Sequence, residues 1–271
     1  MDTFNSVLGA LLGGYFRLFG WAHPLVGLAV LSALAGIGML WLFGRTSNQA
    51  AITKAKRRVY ANLMELRLFV DEPAIMLRTQ GQLLVSNLRY LGLMLLPAAV
   101  VAVPMVVLLI HLEAYYGRSP LRVGSDTIVT LETENALDAG PRAPELTAPA
   151  GIAVETPAVR VLRERQVSWR IRALRPVSGT LKFQLPEGTV EKRIEAGDGF
   201  RFVPGRRTRS AVSALWHPDE PRLAAAVNWI DVDYPSGDIE FLGLHWHWLV
   251  WFTLISMITA LAFKKRFRVV L

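Results

Sequence analysis

Three uncharged apolar blocks dominate the pattern along this chain: Pro24–Phe43, Leu91–Ile110 and Leu242–Phe263, none of which contains Asp, Glu, Lys or Arg. Crossing a hydrocarbon layer of ~30 Å takes ~20 apolar helical residues, and each block has that length. A backbone in hydrocarbon must satisfy its own hydrogen bonds, so each block is predicted to be a transmembrane helix. The alternative is a buried helix of a soluble protein. Interfacial aromatic residues at the block ends favour lipid.

The intervening segments have their own periodicities. Ahead of the first block, Phe4, Val7, Leu8, Leu11, Leu12, Tyr15 and Phe19 recur at helical spacing, with Arg17 off the stripe. Thr3–Trp21 is therefore read as an amphipathic helix lying on the outer membrane surface, although Gly13, Gly14 and Gly20 dilute its propensity. Pro24 suits the first turn of the next helix. Between the first two blocks, Ile52, Ala55, Val59, Leu63 (or Asn62), Leu66 and Phe69 make a near-heptad stripe over Gln49–Val70. Asp71-Glu72-Pro73 breaks it and starts a second helix, carrying Leu77, Leu84 and Leu88, that runs into the second block without a stop. Pro97 and Pro104 predict a kink there. The result is a helical hairpin over residues 45–90.

Between the second and third blocks the period changes from helical to alternating. Strands are predicted over Ile152–Val161, Gln166–Leu174, Gly179–Leu185, Thr189–Ala196, Phe200–Val203, Ser210–Trp216 and Ala225–Tyr234. Pro186-Glu187-Gly188, Gly197-Asp198-Gly199 and Pro235-Ser236-Gly237 are the turns, and Asp138–Pro149 reads as a linker. This pattern predicts an antiparallel all-β sandwich of immunoglobulin-like kind, with Trp169, Trp216 and Trp229 in its core. The predicted organisation is thus an outer amphipathic helix (1–23), two spans joined by the hairpin (24–114), a β-sandwich domain (115–241), and a third span with a tail (242–271).

Charge orients this arrangement. Residues 45–90 carry Arg45, Lys54, Lys56, Arg57, Arg58, Arg67, Arg78 and Arg89 against Glu65, Asp71 and Glu72, and the tail adds Lys264, Lys265, Arg266 and Arg268. Short basic loops stay cytoplasmic, so the N-terminus and β domain are predicted outside and the C-terminus inside, in a bacterial inner (cytoplasmic) membrane. The net charge of +8 then sits beside anionic lipid. No nucleic-acid-binding module accompanies it, so specific nucleic-acid recognition is not expected. The absence of cysteine excludes disulfides and thiol chemistry. The N-terminus lacks the basic start and cleavage site of a signal peptide.

Candidate chemistry is sparse. His245-Trp246-His247-Trp248 could bind a metal on a strand, but at the mouth of a helix its imidazoles point about 200° apart, so an interfacial aromatic belt is the preferred reading. His23, His111, His245 and His247 specify no haem pair. Asp219, Glu220, Asp231, Asp233 and Asp238 form an acidic cluster, read as a solvated face rather than a cation site. No catalytic motif is present, and the spans carry no charge for an ion path. Neither enzymatic activity, cofactor nor metal is expected. Lys54, Lys56, Arg57 and Arg58 stand out as a docking cluster for a ribosome, another cytoplasmic partner or anionic lipid. In the first span, Gly27, Ser32 and Gly36 mark a thin side for intramembrane packing or a groove.

The succession Thr3–Trp21, Pro24–Phe43, Gln49–Arg89, Leu91–Ile110 and Leu242–Phe263 resembles the YidC/Oxa/Alb superfamily of membrane insertases, in its minimal three-span form. The resemblance is architectural and covers a little over half the chain. It implies a polar groove, usually with an intramembrane Arg, that receives the hydrophilic part of a client. Here the first span has no Arg and Ser32 is its one polar candidate. The β domain stands where minimal members have a short connection. The resemblance implies a membrane-protein biogenesis factor. A non-catalytic accessory or scaffold subunit, with a partner-binding outer domain, suits the same layout. The orientation is testable with single cysteines in intact cells: an impermeant thiol reagent should label position 178 (Ser178→Cys) and spare position 47 (Ser47→Cys), and the reverse pattern would invert the topology.

Overall fold

A computed structural model describes residues 2–19, 21–68, 73–134, 144–186, 188–217, 219–223, 227–241 and 243–269. Gly20, Phe69, Val70, the Asp71-Glu72 break, residues 138–143 of the linker, Glu187, Ala225, Leu242 and the Phe4 side chain lie outside the described residues. The chain divides into two compact units, Met1–Gly27 with Leu109–Val250, and Leu28–Leu108 with Trp251–Leu271.

The second unit is helical. Helix α2 runs from Pro24 to Thr46, α3 from Gln49 to Leu68 and α4 from Pro73 to Leu112, continuing through Pro97 and Pro104. Asn48 caps α3, its Oδ1 accepting the Ala51 N–H at 3.0 Å. Pro73 opens α4, a position where the missing N–H costs nothing. Two helices are long and apolar enough to cross a membrane, Pro24–Thr46 and Leu77–Gly117. The third apolar block departs from expectation. Leu244–His247 is a strand, and the helix, α6, spans the 16 residues Trp248–Phe263. At 1.5 Å per residue this helix is about 24 Å long.

Small residues decide how these helices meet. A Cβ on Gly36 would lie 2.5 Å from the Ser256 carbonyl oxygen and 3.1 Å from its Cα, so glycine alone allows α2 and α6 this approach. Ile52, Ala55 and Asn62 are the buried residues of α3, and Ala55 and Asn62 lie alongside α4. Leu63 is 49% exposed, so the buried face takes Asn62 of the two sequence alternatives. Steps of three and four residues from Ala55 through Val59 reach position 62 on the same face. Asn62 donates through Nδ2 to Ser86 Oγ at 3.0 Å, giving the buried amide a partner.

The first unit is built on β structure. Its strands are β1 (Asp126–Thr133), β2 (Glu145–Thr147), β3 (Ile152–Val154), β4 (Val159–Val161), β5 (Gln166–Ala173), β6 (Val177–Leu185), β7 (Gly188–Ala196), β8 (Arg207–Thr208), β9 (Val227–Val232), β10 (Asp238–Phe241) and β11 (Leu244–His247). One antiparallel sheet has the order β3-β5-β1-β9-β8, with β4 also on β5; a second has the order β2-β6-β7; β10 and β11 pair alone. Alternation puts Val129, Leu131, Val167, Trp169 and Ile171 of the first sheet inward, to share one core with Leu181, Phe183, Val190 and Ile194 of the second. The Trp169 and Phe183 rings meet at 5.5 Å.

Several expectations are corrected here. Ile152–Val161 is two short strands, with Thr156 between them accepting the Arg170 N–H through its hydroxyl. Phe200–Val203 forms no strand; Phe200 and Phe202 pack on Tyr116 and Tyr115 instead. Ser210–Trp216 is not a strand but a short helix, α5 (Ala211–Trp216), because Ser210 caps it and Ala and Leu favour the helix. Trp216 is consequently 60% exposed rather than in the core, while Trp229 is half-buried and donates to Glu132 Oε2. Helix α1 (Asp2–Phe19) does not only lie on a surface: Leu12 and Phe16 are buried, with Phe16 against Tyr115, Tyr116 and Phe200. Leu11 and Leu18 stay exposed on its other side.

The shared core makes Phe183 the most sensitive apolar position of the sandwich. Phe183→Ala should cost about 3–5 kcal/mol in chemical denaturation of the full chain, against less than about 0.5 kcal/mol for the exposed Lys182→Ala.

Candidate functional site

The sequence-predicted docking residues fall on the first half of α3. Lys54, Arg57 and Arg58 are exposed and Lys56 is half-buried. The local reason is the helix period: Ile52 and Ala55 are buried, which leaves Lys54 and Arg57 outward, while Arg58 borders a cleft shared with α4. Lys54, Arg57 and Arg58 form no ion pair among the described residues, so their charge is presented outward uncompensated. Such a face can hold an anionic surface by charge, without fixed geometry.

The three small residues singled out in α2, Gly27, Ser32 and Gly36, make local packing contacts and hydrogen bonds. Gly27 gives its carbonyl to the Tyr15 hydroxyl at 2.8 Å, and a Cβ there would meet Tyr116 Oη at 3.2 Å. Gly36 makes the α6 contact described above. Ser32 is fully buried and donates to the Leu28 carbonyl of its own helix at 2.6 Å, which satisfies its hydroxyl locally.

The histidine pair is placed differently from expectation. On β11, His245 and His247 stand on one face, opposite Glu240 and Asp238 of β10, because cross-strand pairing replaces the helical turn. His245 Nε2 lies 3.6 Å from Glu240 Oε1, both largely solvated. Trp248 is no headgroup-level belt residue: it is buried, stacks on Tyr116 and donates to Glu113 Oε2 at 3.2 Å. Among the described residues, no three His, Asp or Glu side chains come together to hold a metal ion.

The acidic cluster divides. Asp231 takes two bonds from Arg206 at 2.9 and 3.1 Å, the guanidinium lying over the Trp229 ring, while Asp233 and Asp238 are exposed. Asp219 and Glu220, by contrast, enter a buried polar network that sequence reasoning missed. Lys192 is fully buried and pairs with Glu220. Glu220 Oε1 also accepts the Arg193 N–H at 3.0 Å, and Asp219 accepts the Gly205 N–H at 2.9 Å. Burial pulls the Lys192 ammonium below the ordinary lysine range, opposed by the Glu220 carboxylate, and burial pushes the Asp219 carboxyl up. The available signal was Lys192 at an inward position of β7, between Val190 and Ile194.

No protein-family model, curated protein or solved structure matches this chain. The buried ion pair yields a direct expectation. Lys192→Met alone should destabilise the full chain by about 3–5 kcal/mol through the stranded Glu220. Adding Glu220→Leu should recover most of that loss in the same denaturation experiment.

Proposed function

We propose that this chain is a membrane-protein biogenesis factor of YidC-like type, which assists insertion or folding of other membrane proteins. The observation that carries the reading is the α3–α4 hairpin: α3 presents an exposed basic face, and α4 beside it runs without interruption into an apolar segment. That segment leaves Leu91, Leu95, Leu96 and Val103 between 54% and 72% exposed. Apolar surface on this scale is stable against lipid or another apolar chain, not against water. In this reading α2, the apolar half of α4 and α6 cross a bacterial inner membrane, with the basic tail after Phe263 in the cytoplasm. A helix of about 24 Å crosses with modest local thinning of the bilayer. The hairpin meets nascent chains through a ribosome, and α4 offers lipid-exposed apolar surface to the client. No residue is assigned a catalytic role, and no cofactor enters.

A second reading, an accessory or scaffold subunit of a larger membrane complex, is favoured by one observation on the outer domain. Val212, Leu215 and Trp216 of α5 are 69%, 43% and 60% exposed, a compact apolar patch of the kind that a protein partner covers.

The two readings part at the hairpin. If it recruits translating ribosomes, wild-type protein should co-sediment with them at low salt and be released as ionic strength rises. Changing Lys54, Lys56, Arg57 and Arg58 to Gln should abolish co-sedimentation while orientation is kept. Wild-type protein that never binds ribosomes would favour the accessory subunit.

A further inference from the structure

Behind the docking face, the hairpin encloses a cleft of about 530 Å³ whose polar lining is Arg58 and Asn62 from α3 and Arg78, Gln82, Ser86 and Arg89 from α4. The residues recur at steps of three or four, so each helix presents them on one face. Among the described residues, no carboxylate lines the cleft. None of the three arginines forms an ion pair among the described residues. Gly81, also in the wall, has open space where a side chain would begin.

Three guanidinium groups that cannot lose their protons line one open cleft with no counter-charge among the described residues, an arrangement that favours an anion there. Guanidinium forks match phosphoryl oxygens in pairs. The Asn62–Ser86 bond lies between the arginines, and Gln82 supplies both donor and acceptor beside it. Arg78 and Arg89 are about 16 Å apart along α4 at 1.5 Å per residue, so cations stand at both ends of the cleft. Three two-pronged guanidinium forks are matched better by two phosphoryl groups than by one. The Arg89 end borders the apolar run that starts at Leu91, and basic pockets in that position bind lipid headgroups.

We propose that the α3–α4 cleft is a binding site for a diphosphorylated anion, held by Arg58, Arg78 and Arg89. The site shares Arg58 with the exposed α3 cluster, whereas Arg78 and Arg89 lie outside it. The ligand chemistry has two sources, the headgroup of a lipid with two phosphates or a soluble diphosphate, and the test separates them.

The full chain, purified in neutral detergent, is titrated with cardiolipin in mixed micelles and, separately, with inorganic pyrophosphate. One or both should bind, and the variant R58Q/R78Q/R89Q should lose about tenfold or more in affinity. The variant K264Q/K265Q/R266Q, which removes the same charge from the tail, should stay within about twofold. Cardiolipin binding that pyrophosphate does not displace identifies the lipid headgroup; equal binding of free pyrophosphate identifies a soluble ligand. Should the glutamine variant fail to fold, R58K/R78K/R89K keeps the charge without the forks and should also bind more weakly than wild type. The proposal is overturned if wild type binds neither probe, if the cleft and tail variants lose affinity equally, or if a folded cleft variant binds as wild type does.

Discussion

The constraint on which the helical unit depends is that α4 carries more apolar surface than the chain covers. From Leu91 to Val106 its backbone hydrogen bonds are internal, while most of its large apolar side chains point away from protein. Every other feature of the unit is consistent with that arrangement. The hairpin half of the same helix changes composition to arginine, glutamine and serine at the point where the apolar run stops. The α2–α6 contact uses backbone proximity at Gly36 rather than large interdigitating side chains, which is how helices associate when burying apolar surface gains little.

The hairpin shows how a polar seam can be both structural and functional. Ile52 and Ala55 close its apolar part, and Asn62 with Ser86 continues the same stripe in polar form. The Asn62–Ser86 bond ties the two helices together at one point and lies in the wall of the cleft that the arginines line.

What could be read from the sequence was what repeats. Uncharged runs of twenty residues, the 3.6-residue stripe of α3, the Pro73 start of α4 and the alternation of β5, β6, β7 and β9 each contain enough positions for the period to be unmistakable. The failures are short segments whose state is decided by a partner remote in sequence. Leu244–His247 has helical and strand character alike, and pairing with Asp238–Phe241 selects the strand. Ser210–Trp216 carries a cap at its first residue, which outweighs a brief β-like alternation. Lys192 breaks an otherwise apolar inward row, and only the placement of Glu220 explains it. The basic cluster was legible as composition, whereas the cleft was not, because it needs α3 and α4 set side by side with Arg58 and Arg89 on facing surfaces.

The packing of α1 has a consequence in time. Phe16 leaves a translating ribosome early, yet one of its ring partners, Phe200, is made about 180 residues later. At ~5–20 residues per second this is a delay of ~10–40 s. During that interval the face carrying Leu12 and Phe16 has at most part of its native cover, from Tyr115 and Tyr116, which are made about 100 residues after Phe16. Helix α1 thus completes its contacts only once the chain through Phe200 has been made, and the β domain folds onto a segment synthesised well before it.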